Sequence, residues 1–332
     1  METYNFLGLN TQQDEAQIVL LPVCWDVTTS YGKGTYRGPS AIANASSQLD
    51  FDDYDFGDST KKGIHMLPKS EAIEKHYRAA LPFGQKVINY CHSHEFEDPT
   101  SEIKEAQQIV NEESQKMVDY VHYFAKDFLN QDKFFAVVGG DHSCPLGLIK
   151  ALAEKYNGDF GVLHIDAHAD LRNAYQGFTH SHASIMYNVL QLDLAPKKIV
   201  QVGIRDYCGE EKELIDSDSR IKTFFGPQLF ADHFRGKSWQ VQCEEIIHEL
   251  PNNIYISFDI DGLDPEYCPN TGTPVPGGLS FSQAEHLLRV FKGSGKKIIG
   301  FDLCEVAPDP SGKDEWDGNV GARVLYKLCG LV

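Results

Sequence analysis

Short apolar runs alternate with amphipathic stretches along most of this chain. Runs at 16–22, 133–138, 161–165, 198–203, 221–225, 254–258 and 297–303 have the length and branched-residue content of buried strands. Between them the apolar spacing turns helical. Ile109, Val110, Met117, Val118, Val121 and Phe124 mark one face of a long helix over 101–130. Shorter helices are predicted near 70–80, at 146–156, from about 182 to 190, and at 226–233, 240–249, 282–292 and 318–328. Another opens at Gly38-Pro39-Ser40, where the missing proline N–H costs nothing in a first helical turn. Strand and helix in regular alternation predict an α/β fold. Its mostly parallel central sheet is covered on both faces, giving a three-layer α/β/α sandwich. No linker, repeat or low-complexity stretch interrupts the pattern, so residues 1–332 are expected to form one domain.

Three of the predicted strands run into polar tips. The 161–165 run ends in Asp166-Ala-His168-Ala-Asp170, and the 254–258 run ends in Asp259-Ile-Asp261. The 133–138 run leads into Gly139-Gly140-Asp141-His142-Ser143. On extended backbone, alternate residues face one side, so each tip would present its ligand-type groups together. Ligands in such sheets bind beyond the carboxyl ends of the strands, so the three tips can converge. Carboxylates brought that close repel, and a divalent cation relieves the repulsion. Asp141 reads more simply as a group holding the Gly139-Gly140 turn, and Asp264-Pro265 as a turn. The remaining six residues are two histidines and four carboxylates: His142, His168, Asp166, Asp170, Asp259 and Asp261. Hard oxygens mixed with imidazole suit Mn²⁺ first, then Zn²⁺, Fe²⁺ or Co²⁺, and the lack of cysteine among them argues against structural zinc. One ion does not need six such groups, whereas two ions sharing carboxylates do. Such a pair would also deprotonate a bridging water.

Composition narrows the rest. The net charge of −18 excludes a phosphate-backbone binder and favours cationic substrates and divalent metals. The eight cysteines form no CxxC pair, as in a reduced cytoplasmic protein. No apolar run reaches the roughly 18 residues of a membrane span, and no secretory signal is visible at the start. Residues 50–62, rich in Asp and aromatics, read either as the rim of a cation site or as surface.

Taken together, these motifs resemble the ureohydrolase superfamily of arginases, agmatinases and formimidoylglutamases. The matching stretches are Gly139-Gly-Asp-His142-Ser, Asp166-Ala-His-Ala-Asp170, Gly203-Ile-Arg-Asp206, Ser257-Phe-Asp259-Ile-Asp261-Gly-Leu-Asp-Pro265 and Thr271-Gly-Thr-Pro-Val-Pro-Gly-Gly278. The similarity covers nearly all of the chain outside about 50–100. It implies two Mn²⁺ per chain and a trimeric or hexameric assembly. By position, His142, Asp166, Asp170 and Asp259 would hold one ion. Asp166, His168, Asp259 and Asp261 would hold the other. The resemblance also implies attack of a metal-bridging hydroxide on a guanidinium or amidinium carbon. The proton-shuttling histidine falls in Phe178-Thr-His180-Ser-His182, with His182 the better fit and His180 the alternative.

The substrate side departs from arginase. Arg172 and Cys208 stand where arginases carry Asn and Asp. Gln283 stands at the position expected to meet the guanidinium, with Glu285 nearby. Arg172 also resembles formimidoylglutamases, where it would pair a substrate carboxylate. Thr271-Gly-Thr-Pro274, His182 and Asp302-Leu-Cys-Glu305-Val-Ala-Pro308 resemble agmatinases. Glu305 is counted on the substrate side, though expected rather to order the shell of the site. The leading expectation is therefore an agmatinase-like hydrolase of a small cationic guanidino substrate, releasing urea. Formimidoylglutamase and arginase chemistry stay open, as does a metal-bound scaffold without catalysis.

Overall fold

The computed structural model describes residues 4–94 and 97–332. The described residues form ten strands: β1 (Ile18–Val23), β2 (Asp52–Asp53), β3 (Gly57–Asp58), β4 (Ile64–Met66), β5 (Phe134–Gly139), β6 (Gly161–Ile165), β7 (Lys198–Ile204), β8 (Ile221–Phe225), β9 (Asn253–Asp259) and β10 (Lys297–Cys304). Eight of them make one sheet in the order β4-β1-β5-β10-β9-β6-β7-β8, and every pairing in it is parallel. The strands are apolar without alternation because both faces are covered. On one face pack α1 (Gly38–Ala45), α8 (Trp239–His248), α9 (Phe281–Gly293) and α10 (Trp316–Cys329). On the other lie α2 (Glu71–Ser93), α3 (Ser101–Asn130), α4 (Leu146–Tyr156) and α5 (Ile185–Leu190). The expected α/β/α sandwich with a mostly parallel sheet is what forms. Helices α6 (Gly209–Ser217) and α7 (Gly226–Phe234) complete the chain order.

The segment from 50 to 100 is where expectation and structure part. The helix expected near 70–80 runs from Glu71 to Ser93, straight through Pro82. Packing of Ile73, Ala80, Val87 and Ile88 against the sheet layer keeps it helical beyond the proline. The acidic-aromatic stretch does not rim the polar strand tips. It forms the β2–β3 ribbon against α10: Tyr326 Oη donates to the Phe51 carbonyl, and Lys327 pairs with Asp53 at 2.6 Å. Helix α6 was not foreseen, because its only apolar residues are Leu214 and Ile215.

The sheet order places the polar tips. β5, β10, β9 and β6 lie side by side, and all four end on the same edge. β5 and β6 are consecutive in the sheet along the chain but are separated by two later strands. That crossover opens a crevice at the carboxyl ends, where ligands bind in such folds.

Candidate metal centre and catalytic pocket

His142 sits just past β5 on a turn pressed against the backbone after β1. Gly140 N–H donates to the Val23 carbonyl at 2.8 Å, and Asp141 N–H to the Trp25 carbonyl at 2.7 Å. A side chain at 140 would meet the Trp25 oxygen at 1.8 Å, so only glycine fits there. Asp141 holds this turn, as read from the sequence: it accepts from Ser143 N–H and from Thr28 Oγ1, both at 3.1 Å. The His142 backbone N–H donates to Glu305 Oε1 at 3.0 Å.

The histidine ring is oriented by a buried relay. Ser257 Oγ and Tyr255 Oη both donate to Asp302 Oδ2, at 2.9 and 2.6 Å. Ser257 has a single proton, so it accepts from His142 Nε2–H, 2.9 Å away. That leaves Nδ1 as the ring nitrogen turned to the strand tips. Nδ1 has no hydrogen-bond partner and faces Asp166 Oδ2 at 3.0 Å, Asp259 Oδ2 at 3.1 Å and Asp170 Oδ2 at 3.2 Å. A ring nitrogen facing three buried carboxylates suits either a proton, which their charges favour, or a divalent cation shared with them. The donor set passes the same test for a second ion. His168 Nδ1 lies 3.0 Å from Asp261 Oδ2 and 3.5 Å from Asp166 Oδ1. The residues fit a metal at two adjoining positions, with Asp166 offering one oxygen to each. His164 joins the first group, its Nε2 2.8 Å from Asp166 Oδ2.

Without a cation the charges are badly matched. Burial, then the charges of Asp261 and Asp166, holds the Asp259 carboxyl well above the usual carboxylate range. Burial and Asp166 push Asp170 up to about 6. Among the described residues no Lys or Arg pairs with Asp166, Asp170, Asp259 or Asp261.

The backbone that delivers these groups is not the extended ladder expected. β6 stops at Ile165, and Asp170 takes a left-handed conformation, φ 52°. The turn lets its carbonyl accept from Met186 and Tyr187 N–H at the start of α5 while its carboxylate enters the cluster. Asp259 stays extended as the last residue of β9; its Oδ1 accepts from Asp261 N–H at 2.8 Å, and Oδ2 faces His142. Arg205, within a motif quoted above but given no role there, clamps the turn that follows. Its Nη2 donates to the carbonyls of Asp261 and Val275, both at 2.7 Å.

A cavity of about 150 Å³ opens on His168 and Asp170 and is walled by Arg172, Tyr175, His182, Asp206, Glu211 and Thr273. His182 is buried, its N–H donating to Thr28 Oγ1 at 3.1 Å. Burial, with the charges of His168 and Lys33, pulls its pKa down to about 3, so the ring is neutral near pH 7. His180 is not in this cavity; its Nε2 lies 2.9 Å from Gln115 Oε1 on α3. Arg172 lies over the Tyr175 ring at 4.6 Å, its Nε 3.6 Å from Glu211 Oε2. The structure does not bring Gln283 to the cavity. That side chain closes the capping box of α9, Oε1 accepting from Ser280 N–H at 2.9 Å. Glu285 pairs with Lys327. Glu305, at φ 62°, is buried with Oε2 unpartnered. His164, Ser257 and Thr28 went unremarked as parts of the site. For His164 and Ser257 the signal was inward alternation on β6 and β9, because neither has an apolar reason to be buried.

The chain matches the arginase family over residues 16–330. An N(1)-aminopropylagmatine ureohydrolase of Thermus thermophilus is 33% identical over 324 residues, 97% of this chain and 92% of that one. Its Synechocystis namesake is 29% identical over 321 residues, 96% of this chain and 90% of that one. Among solved structures, a hypothetical agmatinase from Burkholderia thailandensis superposes with a TM-score of 0.73 at 26% identity, covering 99% of this chain and 89% of that one. No described helix is long and apolar enough to cross a membrane. With a match that runs from the first strand to the last helix and with a ligand cluster to suit it, the chain belongs to the arginase family and is a ureohydrolase.

Proposed function

We propose that this enzyme hydrolyses the guanidinium group of an alkylguanidine whose far end is an amine, in the manner of agmatine or its aminopropyl extension, and releases urea. The carrying observation is the state of Arg172. It is the one cation among the Arg, Lys, Asp and Glu side chains lining the cavity, and it is already engaged by Glu211 and the Tyr175 ring. The other charged walls are Asp170, Asp206 and Glu211. An amine tail suits that lining, and an α-carboxylate does not.

His142, Asp166, Asp170 and Asp259 would hold one divalent ion, and Asp166, His168 and Asp261, with Asp259, the other; Mn²⁺ is the metal we assign. When bound, such a pair lowers the pKa of a shared water and stabilises charge on the attacked carbon's substituents. The chain's own groups do the rest. The Ser257–Asp302 relay fixes the His142 ring, and Arg205 fixes the Asp261 turn. Neutral His182 takes the proton of the attacking water and returns it to the leaving amine nitrogen. The enzyme is proposed to act in the cytoplasm as a trimer or hexamer.

The test is product release by the Mn²⁺-loaded protein with agmatine, N(1)-aminopropylagmatine, arginine, guanidinobutyrate and N-formimidoylglutamate. Urea from the two amine-tailed guanidines supports the proposal. Formamide from formimidoylglutamate would overturn it and give Arg172 a substrate carboxylate to bind. That second reading has its own support in the 36% exposure of the Arg172 side chain.

A further inference from the structure

The stretch between Arg172 and His182 is a tight hairpin. Tyr175 and Phe178 exchange both backbone hydrogen bonds, at 3.2 and 2.9 Å, around Gln176 and Gly177. Both turn residues have positive φ, 55° and 83°, the signature of a two-residue primed turn. The hairpin carries two walls of the catalytic cavity. Tyr175 lies on its first arm, and His182 follows its second, the two rings edge to face at 6.0 Å.

What holds this hairpin is a polar ladder on α3. Gln107 Nε2 donates to the Gln176 carbonyl at 2.8 Å. Asn111 grips twice: Nδ2 donates to the Gly177 carbonyl at 3.0 Å, and Oδ1 accepts from Thr179 N–H at 2.9 Å. Gln115 Oε1 accepts from His180 Nε2. The three side chains recur every fourth residue and so share one helix face. The ladder meets the turn at 176 and 177 and the second arm at 179 and 180. The fit at the tip is close, since a Cβ on Gly177 would lie 2.2 Å from Gln107 Nε2.

We propose that Gln107, Asn111 and Gln115 are positioning residues for the reaction: by pinning the hairpin they set where Tyr175 and His182 stand against the substrate. None of the three touches the catalytic cavity; Phe178 fastens the second arm to the core by its fully buried ring, and the three amides fix the exposed backbone on either side of it. Asn188 Nδ2, at 2.9 Å from the Thr179 carbonyl, adds a further side-chain hydrogen bond. On this account His180 is the foot of the hairpin rather than a proton carrier. The proposal rests on the guanidine-hydrolase reading for its kinetic consequence, though not for its structural one.

The experiment compares Asn111→Ala, Gln115→Ala and Gln115→Glu in the metal-loaded enzyme. Three quantities are read: hydrogen exchange at the Thr179 amide, modification of His182 by diethyl pyrocarbonate, and kcat and KM for agmatine. Asn111→Ala is expected to speed Thr179 exchange and His182 modification roughly tenfold. It should lower kcat by about ten- to a hundredfold, with metal content and melting temperature unchanged. Gln115→Ala should act in the same direction, and Gln115→Glu, which keeps the acceptor for His180, should restore wild-type values. Unchanged Thr179 exchange in Asn111→Ala would sink the proposal, and so would faster exchange with kcat and KM unmoved. If the wild type hydrolyses no guanidine, the functional reading fails by itself, and the exchange and modification rates still decide whether α3 positions His182.

Discussion

Two groups of acidic side chains in this molecule meet the cost of burial in opposite ways. At the corner of α9, α10 and the β2–β3 ribbon, Asp53 and Glu285 share Lys327. Burial alone would raise the Asp53 carboxyl, but the hydrogen bond from Lys327, those from Phe56 and Asp55 N–H, and the Lys327 charge outweigh it and hold Asp53 below the usual range. At the carboxyl edge of β5, β9 and β6, four carboxylates are buried with only histidines beside them; Asp259 and Asp170 are held above that range, while His164, His142 and His168 outweigh burial and hold Asp166 below it. A structural carboxylate comes with its cation built into the chain. A carboxylate cluster without one is waiting for a cation from solution. The contrast separates a fold element from a metal site without reference to any motif.

The strongest way to break this contrast is Asp259→Ala. It should abolish turnover and lower the bound metal measured by elemental analysis. Wild-type metal content in that variant would remove Asp259 from the ligand set. His182→Ala should keep both ions and lower kcat by roughly 10² to 10⁴. If His180→Ala does so instead, the proton carrier has been misassigned. Lys327→Met should do the reverse of Asp259→Ala. Stranding two half-buried carboxylates should cost about 1–3 kcal/mol in urea unfolding, discounted from a fully buried pair, while metal content stays intact.

The smallest effect concerns Glu74. Burial pushes its carboxyl up, but hydrogen bonds from Tyr36, Lys69 and Arg78 prevail and hold it at about 2. Its unfolded value is about 4.3, so the stability it contributes is present above that pH and is lost as pH falls towards about 2. The difference in melting temperature between wild type and Glu74→Gln should therefore shrink steadily between those limits. A constant difference would mean that the Tyr36–Lys69 network tolerates a neutral partner.

Much of this was legible in the chain. Continuous apolar runs announced the strands because a sheet buried on both faces needs no alternation, and the six metal-ligand candidates stood at the strand ends in plain view. What the sequence hid were side chains used for geometry. Gln283 occupies a position where a substrate contact was expected, yet its amide is spent on the start of α9. His180 and His182 differ by two places, and only tertiary packing sends one to α3 and the other to the cavity. Helix α2 runs well beyond the stretch near 70–80 that its local pattern marks, because packing on the sheet layer, which no local pattern encodes, carries it through Pro82 to Ser93. The left-handed Asp170 was equally invisible, because nothing in the residue type demands that conformation.

The sheet order also has a consequence for how this protein is made. β5 and β6 leave the ribosome early, carrying His142, Asp166, His168 and Asp170, yet the two strands that belong between them, β9 and β10, are the last to be synthesised. A nascent chain cannot close the gap by pairing β5 with β6 without excluding the strand that brings Asp259 and Asp261. The proposed two-ion site is therefore complete only once β9 has been made, although His142, His164, Asp166 and Asp170 already come from β5 and β6.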